Sequence, residues 1–387
     1  MSKEKIAVIS PAEFPGRAGD TAHYSEIINQ LNKEGYQVVL ICPKNDSDNE
    51  KVQISPDVKI LRINCKPPRL RKIEEGLKTK HRFKLLWFLL IESLMVVWFL
   101  KRNKIKYVLA RHHVLTIQLP IIFKLLKITA IGDGGLVSDS PKSQMGTFLS
   151  RIIANYERKT LQFYKSFSVH TPSKAEHLEK FGLPKKMLLT IPVSMDLDKI
   201  PKFPYDEIPE NTFGYFGIME KSRGVDVLLE AFEILLEKIP SAKLYLIGHG
   251  TLEKSLKNRV IKKNLSSNVI FDSVSRDALW NEYFKKFRVT IDPFATEGPA
   301  DSIKLIESLA AGKPIIIFSK HGSRKNPQGG IFTVNSHDAK SFTNAMMEFV
   351  SKPEMTKKAS KEAIEYSAQF DIKDTTKERI KALLEGC

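Results

Sequence analysis

Two cations and one carboxylate carry the clearest chemistry in this 387-residue chain. Lys221 and Arg223 lie in GIMEKSRG, and Glu307 lies in TEGPADSIKLIESLAAGKPIIIF. Gly217, which opens the first stretch, lets a ligand approach the backbone just past a strand end. A guanidinium there suits bidentate phosphate contacts, so the pair reads either as a diphosphate clamp or as solvated loop charges. Glu307 falls among Ile303, Ile306, Leu309 and Ala310, which share a face at helical spacing. A carboxylate in that setting needs a partner: water, Lys304 or a ligand.

Around these residues are loops that follow strands. Gly16, Gly19 and Asp20 precede a helix, where backbone N–H groups can meet an anion. The loop lacks the full GxGxxG fingerprint, so a dinucleotide is not expected. Gly248-His249-Gly250 and the GDGG of Gly132 to Gly135, with Asp133 its single ionisable group, are further strand-end loops. In Arg111-His112-His113 the two adjacent histidines point to opposite sides, so at most one faces a ligand. We take Asp20 and His113 as the acceptor-side candidates. With no HExxH, CxxC pair or carboxylate cluster, no metal is expected, and the lack of a G-x-S-x-G elbow argues against that class of hydrolase.

The elements that must position these residues alternate. Ile6–Ser10, Gln37–Cys42, Val58–Ile63, Lys106–Ala110, Thr129–Gly132 and Ser166–His170 read as strands. Helices fall between them over Thr21–Glu34, Leu115–Leu126 and Phe148–Tyr164. A second series runs through strands Phe213–Gly217, Ala242–Ile247, Val269–Phe271 and Val289–Ile291. Its helices cover Val225–Ile239, Leu252–Lys262 and Asp277–Lys286. In the Glu307 stretch, a loop holding Glu297, Gly298 and Pro299 leads into a helix that Asp301 or Ser302 can cap. Gly312 and Pro314 end that helix, and Ile315–Phe318 is a buried strand. Such alternation means parallel, doubly wound sheets. The proline-rich DLDKIPKFPYDEIPEN marks a linker at 196–211, between domains at 1–195 and 212–368, and 369–387 closes the chain with an isolated amphipathic helix.

Composition is ordinary, with 42% hydrophobic residues, but the formal charge is +17. That excess fits an anionic surface or a phosphorylated substrate. The basic residues crowd around FKLLWFLLIESLMVVWFL, Phe83 to Leu100, inside a region of about 66–106. Lys66, Arg69, Arg71, Lys72, Lys78, Lys80, Arg82 and Lys84 precede or open it. Lys101, Arg102, Lys104 and Lys106 follow, and Trp87 and Trp98 stand near its ends as interfacial anchors do. The span is near the minimum for crossing a bilayer and contains Lys84 and Glu92, so it reads as a helix lying on a membrane. Nucleic acid is not expected, because single-strand binders interleave aromatic and basic residues. The charged start MSKEKIAVIS shows no signal peptide, and three scattered cysteines fit a reducing, cytoplasmic setting at the inner membrane face.

These landmarks, in this order, resemble glycosyltransferase family 4, the group 1 transferases with the GT-B fold. The resemblance covers nearly the whole chain and rests on five pieces. They are the N-terminal strand and glycine loop, LLTIPVSMDL at Leu188–Leu197, YFGIMEKSRGVDVLLEAF at Tyr215–Phe232, LYLIGHG at Leu244–Gly250, and the Glu307 stretch. The family's proline-to-Gly-Val-Asp signature reads Pro192-Val193-Ser194-Met195-Asp196, its glycine replaced.

The resemblance implies two Rossmann-like sheets facing a central cleft, an acceptor domain first and a nucleotide-sugar domain second. It implies retention of configuration, no metal and no cofactor beyond the nucleotide-sugar co-substrate. The closing helix is expected to return to the first domain. Ile218 stands at the family's diphosphate Arg and Arg223 at its Lys, with Lys221 nearby. Glu307 matches the ribose-binding glutamate, and the helix start at Ser302 and Ile303 would meet the diphosphate. Position 299, where the family has a first glutamate, is Pro; Glu297, Asp301 or Lys304 can stand in. Asp133-Gly134 occupies the family's His-Gly. Catalytic roles thus fall to Arg223, Lys221 and Asp133. Donor binding falls to Gly19, Gly217, Gly248, Gly250, Ser302, Ile303, Lys304 and Glu307. The expected reaction moves a sugar from a UDP- or GDP-sugar to a lipid-linked or cell-surface glycan acceptor at an anionic membrane. A soluble transferase acting on a sugar phosphate, an epimerase and a non-catalytic nucleotide binder are the alternatives.

Overall fold

The structure is a computed structural model that describes residues 4–11, 19–43, 54–63, 79–113, 115–134, 146–294, 302–318 and 329–385. The chain divides into two compact units, Met1–Met195 with Ile372–Cys387, and Asp196–Asp371.

In the first unit seven strands run parallel in the order β3-β2-β1-β4-β5-β6-β7. They are β1 (Lys5–Ile9), β2 (Gln37–Pro43), β3 (Lys59–Ile63), β4 (Tyr107–His112), β5 (Thr129–Gly134), β6 (Ser166–Val169) and β7 (Leu188–Thr190). β1 and β2 are near-continuous apolar runs because helices cover both faces of the sheet. One cover is α1 (Gly19–Lys33), whose Ile27, Ile28 and Leu31 are buried. Each such side chain contributes about 1.5–3 kcal/mol. The others are α2 (Thr79–Arg102), α3 (Leu119–Leu125), α4 (Gly146–Thr160) and α5 (Pro172–Phe181). The last helix, α11 (Ile372–Leu384), adds Ile372, Ala382 and Leu383 to the core cluster that holds Tyr24, Ile28 and Leu31.

α2 buries only one stripe, with Phe88, Val96, Phe99 and Leu100 turned to the core. Leu86, Trp87, Leu90, Leu94 and Trp98 are each more than half exposed. Glu92 differs from the sequence reading, which left its charge unpaired. It is buried, its Oε2 accepts a 2.9 Å bond from Gln118 Nε2, and burial pushes its carboxyl up to about 8. Among the described residues no helix is long and apolar enough to cross a membrane.

The second unit's sheet is also all parallel, ordered β10-β9-β8-β11-β12-β13. Its strands are β8 (Thr212–Phe216), β9 (Lys243–Ile247), β10 (Val269–Asp272), β11 (Val289–Asp292), β12 (Ile315–Phe318) and β13 (Ile331–Val334). Its helices are α6 (Val225–Lys238), α7 (Glu253–Lys262), α8 (Ile303–Ala310), α9 (Ala339–Ser351) and α10 (Pro353–Ser367). The sequence reading passed over α5, β7, β13, α9 and α10. It also drew one helix over Asp277–Lys286, where a three-residue turn, Arg276–Ala278, runs into a π-helical turn, Leu279–Tyr283. Trp280, Tyr283, Phe284 and Phe287, at the i, i+3, i+4, i+7 spacing, are all buried along this segment. The proline-rich 196–211 stretch belongs to this unit and is fastened there: Lys357 Nζ reaches Asp206 at 2.7 Å and Arg288 Nε donates to Ile208 O at 2.8 Å.

Candidate nucleotide-sugar site

In the second unit the strand order reverses between β8 and β11, and ligands of open parallel sheets bind beyond the strand ends at such a point. Gly217 follows β8 with φ +133°, a conformation that favours glycine. Gly248, beyond β9, comes so close that a Cβ on it would lie 2.0 Å from Gly217 O. Two backbones therefore meet beside the switch point with no side chain between them.

Lys304 reaches over this floor from α8. Its Nζ donates to Asp292 Oδ1 at 2.8 Å and sits 4.4 Å from the centre of the Tyr215 ring. A Cβ on Gly217 would come 3.3 Å from the same Nζ, so glycine leaves the ammonium its place. Ser302 caps α8, its hydroxyl accepting from Leu305 N at 3.2 Å, and the N–H groups of Ile303 and Lys304 begin the helix without partners inside it. Lys221 and Arg223 form one turn after Gly217 but separate: Lys221 is exposed, whereas Arg223 is half-buried with its guanidinium 4.3 Å from the Phe294 ring. Gly250 lies in the neighbouring turn, and Ile218 is largely exposed. Glu297, Pro299 and Asp301 lie outside the described residues.

Glu307 is buried, 5% exposed, and its partner is neither water nor Lys304. Arg276 Nε donates to Oε1 at 2.5 Å and Trp280 Nε1 donates to the same oxygen at 3.0 Å. The sequence reading missed Arg276, Trp280 and Asp292. The one local signal was Arg276 placed four residues before Trp280, a spacing at which a guanidinium covers an indole, and the two do stack at 4.9 Å.

The carboxyl edge of the first unit's sheet holds a different constellation. Asp133, at the end of β5, is buried; Tyr24 Oη donates to its Oδ2 at 2.7 Å, and Arg111 Nη1 is 3.6 Å from the same oxygen. His170 Nε2 is 3.8 Å from Oδ1. Burial works to raise the Asp133 carboxyl, but His170, Arg111, Arg379 and His23 outweigh it and hold it well below the usual carboxylate range. His23 Nδ1 lies 3.1 Å from Ser194 O, and its ring meets that of His170 edge-on at 5.7 Å. Burial, then Arg379 and His170, drives His23 down to about 3. Arg379 comes from α11, is 3% exposed, and donates to Thr375 O at 3.1 Å.

Sequence reasoning named Asp133 but missed His23, His170 and Arg379, which converge from distant parts of the chain. His112 is buried against Glu157 at 2.9 Å, and His113 uses Nδ1 to accept from Leu115 N at 3.2 Å. The neighbouring histidines do face different surroundings. Gly19 and Asp20 open α1, but Gly16 and the Asp20 side chain lie outside the described residues. Among the described residues no group of three His, Cys, Asp or Glu side chains is arranged to hold a metal ion.

Comparison with known proteins bears on the fold. Residues 201–366 match the family described as Glycosyl transferases group 1, and residues 1–61 match Glycosyltransferase family 9 (heptosyltransferase). Bacillus subtilis EpsD, named as a glycosyltransferase, is 27% identical over 153 residues, a match spanning 39% of each chain. Mannosylfructose-phosphate synthase of Agrobacterium fabrum is 22% identical over 81% of this chain and 73% of its own. Among solved structures, Anabaena HepE in complex with UDP superposes with a TM-score of 0.75 at 12% identity, covering 99% of this chain and 100% of HepE. The glycosyltransferase WaaG, involved in lipopolysaccharide biosynthesis, gives 0.67 at 15% identity over 98% of this chain and 100% of its own. This protein thus has the GT-B architecture of two Rossmann-like parallel-sheet domains, and its residues 201–366 match the group 1 glycosyl transferase family.

Proposed function

We propose that the protein is a retaining, metal-independent transferase of family 4 that moves a sugar from a nucleotide sugar to a lipid-linked or surface-glycan acceptor at the cytoplasmic membrane face. The observation that carries the reading is the switch point of the second unit. There Lys304, Arg223, the Ser302-capped helix start and Glu307 surround a floor of glycine backbone. Transfer leaves negative charge on the departing diphosphate, and preorganised cations and N–H groups stabilise that charge. Lys304 is held by Asp292, from which a phosphate can draw it, so it takes the place of the cation that Ile218 does not supply. UDP is the first nucleotide to try, because HepE was solved with it. Asp133 then serves the acceptor side, its charge fixed by Tyr24 and Arg111.

A thermal-shift panel of UDP- and GDP-sugars tests the donor site, since binding stabilises the folded state by mass action. Glu307→Ala and Lys304→Ala are expected to abolish the shift. A full shift in Glu307→Ala removes our role for that residue.

The membrane half of the proposal rests on α2, where Leu86, Trp87, Leu90, Leu94 and Trp98 stand exposed between basic ends. Sedimentation with anionic liposomes is expected to carry the protein down at low salt and release it as salt rises. Protein left in the supernatant at low salt ends this half. A soluble transferase acting on a sugar phosphate is the second reading, favoured by the name of the Agrobacterium relative, which aligns over most of this chain. It predicts turnover of water-soluble acceptors without liposomes.

A further inference from the structure

We infer that His337 is a positioning residue of the donor site: by holding the Pro293 carbonyl it sets the Phe294 ring and, through that ring, aims the Arg223 guanidinium at the donor's diphosphate. The inference rests on the donor-site reading above and adds to it a residue that acts only through another.

Three observations converge on His337. It lies between β13 and α9, and its Nε2 is 2.7 Å from Pro293 O, just beyond the end of β11. A carbonyl can only accept, so the ring carries a proton on Nε2 and donates it. The ring is braced edge-on by Phe318 of β12 at 5.1 Å and by Phe342 of α9 at 6.1 Å between centroids. Its neighbour Asp338 already caps α9, accepting from Ser341 N at 2.8 Å, so the helix start does not call on the imidazole. Finally, Gly224, which ends the Lys221–Arg223 turn at φ +67°, closes on the same two groups. A Cβ there would lie 2.1 Å from Pro293 O and 2.7 Å from His337 Nε2. The turn that carries Arg223 therefore abuts the hydrogen bond itself.

What the bond governs follows from the chain. Pro293 has its φ fixed by its own ring, and His337 holds its carbonyl, so the peptide joining Pro293 to Phe294 keeps one plane. Phe294 leaves that peptide with the Arg223 guanidinium 4.3 Å from its ring centre. A guanidinium stacked on a ring takes its plane from the ring, and its N–H fork suits a phosphate only from a matching direction. Without the His337 bond Arg223 would keep its charge and lose its aim, and a group whose support is left loose binds less well. Glu307 is held by Arg276 and Trp280, outside this chain of contacts, so the ribose end of the donor should not feel His337.

The test measures dissociation constants of UDP, inorganic pyrophosphate and uridine on the full chain by calorimetry. His337→Phe keeps a ring beside Phe318 and Phe342 and deletes the N–H. It should weaken UDP and pyrophosphate about fivefold, the worth of one hydrogen bond, and leave uridine unchanged. His337→Gln, whose side-chain amide can donate to the same carbonyl, should stay within about twofold of the intact protein. Phe294→Leu takes away the ring under Arg223 and leaves His337 in place; it should show the loss of about fivefold too, and it carries the test if His337→Phe fails to fold. In an Arg223→Lys background, which keeps the charge without the planar stack, His337→Phe should add less than about twofold. Full affinity for both phosphates in His337→Phe or in Phe294→Leu, with only the melting temperature lowered, makes the contacts merely structural and overturns the inference. So does a loss in His337→Gln equal to that in His337→Phe, a uridine loss as large as that of UDP, or an undiminished effect in the Arg223→Lys background. In each of those cases UDP still binds the intact protein and the donor site stands. If the intact chain binds neither UDP nor pyrophosphate, the donor-site reading itself falls, and this inference with it.

Discussion

The two sheets share a topology and use their carboxyl edges in opposite ways. In the first unit, Asp133 is surrounded by Tyr24, Arg111 and His170, with His23 and Arg379 behind them, all largely out of water. The charges there answer one another. In the second unit, Lys304 and Arg223 lie over glycine backbone and aromatic faces, and the Lys304 ammonium pairs with the Asp292 carboxylate. One edge gathers its charges into a buried cluster in which His23 Nε2, Asp133 Oδ1 and Arg379 Nη2 lack a hydrogen-bond partner, and the other sets its cations against glycine backbone and rings. A buried network of this kind is costly to break, whereas partly open cations can trade one anion for another at little cost.

Asp133→Asn should separate the two edges most sharply. It keeps shape and removes the buried negative charge that acts on Arg379, Arg111 and His170 together, so the loss of stability should be about 3 kcal/mol or more. Lys304→Gln, in the second unit, should cost under about 1 kcal/mol, since its pair with Asp292 is partly solvated. The same Lys304→Gln should weaken UDP between tenfold and a hundredfold, the range for a hydrogen bond to a charged group. Urea melts and calorimetric titration check both. Equal stability losses in the two variants would erase the contrast.

The next effect is one of pH. Burial depresses both His23 and His170, with Arg379 and the other histidine adding for His23, and with Asp133 partly offsetting for His170. A histidine lowered in the folded state is neutral there while the unfolded chain takes up a proton. Its contribution is therefore full above the unfolded value near 6.5 and is lost as pH falls towards the folded one, about 3 for His23. Each such group steepens the fall by about 1.4 kcal/mol per pH unit at most. His23→Gln should flatten the stability profile between about pH 6.5 and 5, above the range where Asp133 begins to protonate in the unfolded chain. Urea midpoints at four pH values measure this. An unchanged slope in the variant would mean His23 does not face this network.

The legible part of the molecule was whatever repeats locally. β1 to β6, β8 to β12 and α8 followed from apolar runs and caps, and Glu307 announced itself as a carboxylate in an apolar helix. Its true partner did not, because Arg276 lies 31 residues away in a short turn, a separation that no local period describes. Likewise Asp133 was readable at a strand end, while Arg379 arrives from α11 and His23 from α1. α10 escaped for another reason: PEMTKKASKEAIEYS buries small residues, Ala359, Ser360 and Ala363, so its inner face lacks the large apolar side chains that mark a helix. Pairings between distant segments are set by packing, and packing is what a linear pattern omits.

The smallest effect tests whether the donor edge is built by the helix start or by its cations. Ser302 accepts from Leu305 N and leaves the earlier N–H groups of α8 without partners inside the helix. Ser302→Ala removes a cap, which costs about 1 kcal/mol, and leaves Lys304 and Glu307 in the sequence untouched. If the helix start meets the diphosphate, the loosened first turn should weaken UDP and pyrophosphate by the same factor, about threefold. A cap acts on the phosphate end alone, so uridine, which has no phosphate, should bind as before. Ser302→Gly relaxes less, because glycine is tolerated at a cap, and should recover part of the affinity. A loss confined to melting temperature, with both affinities intact, would leave Lys304 and Arg223 as the whole of the diphosphate site. The second edge would then differ from the first only in how exposed its cations are.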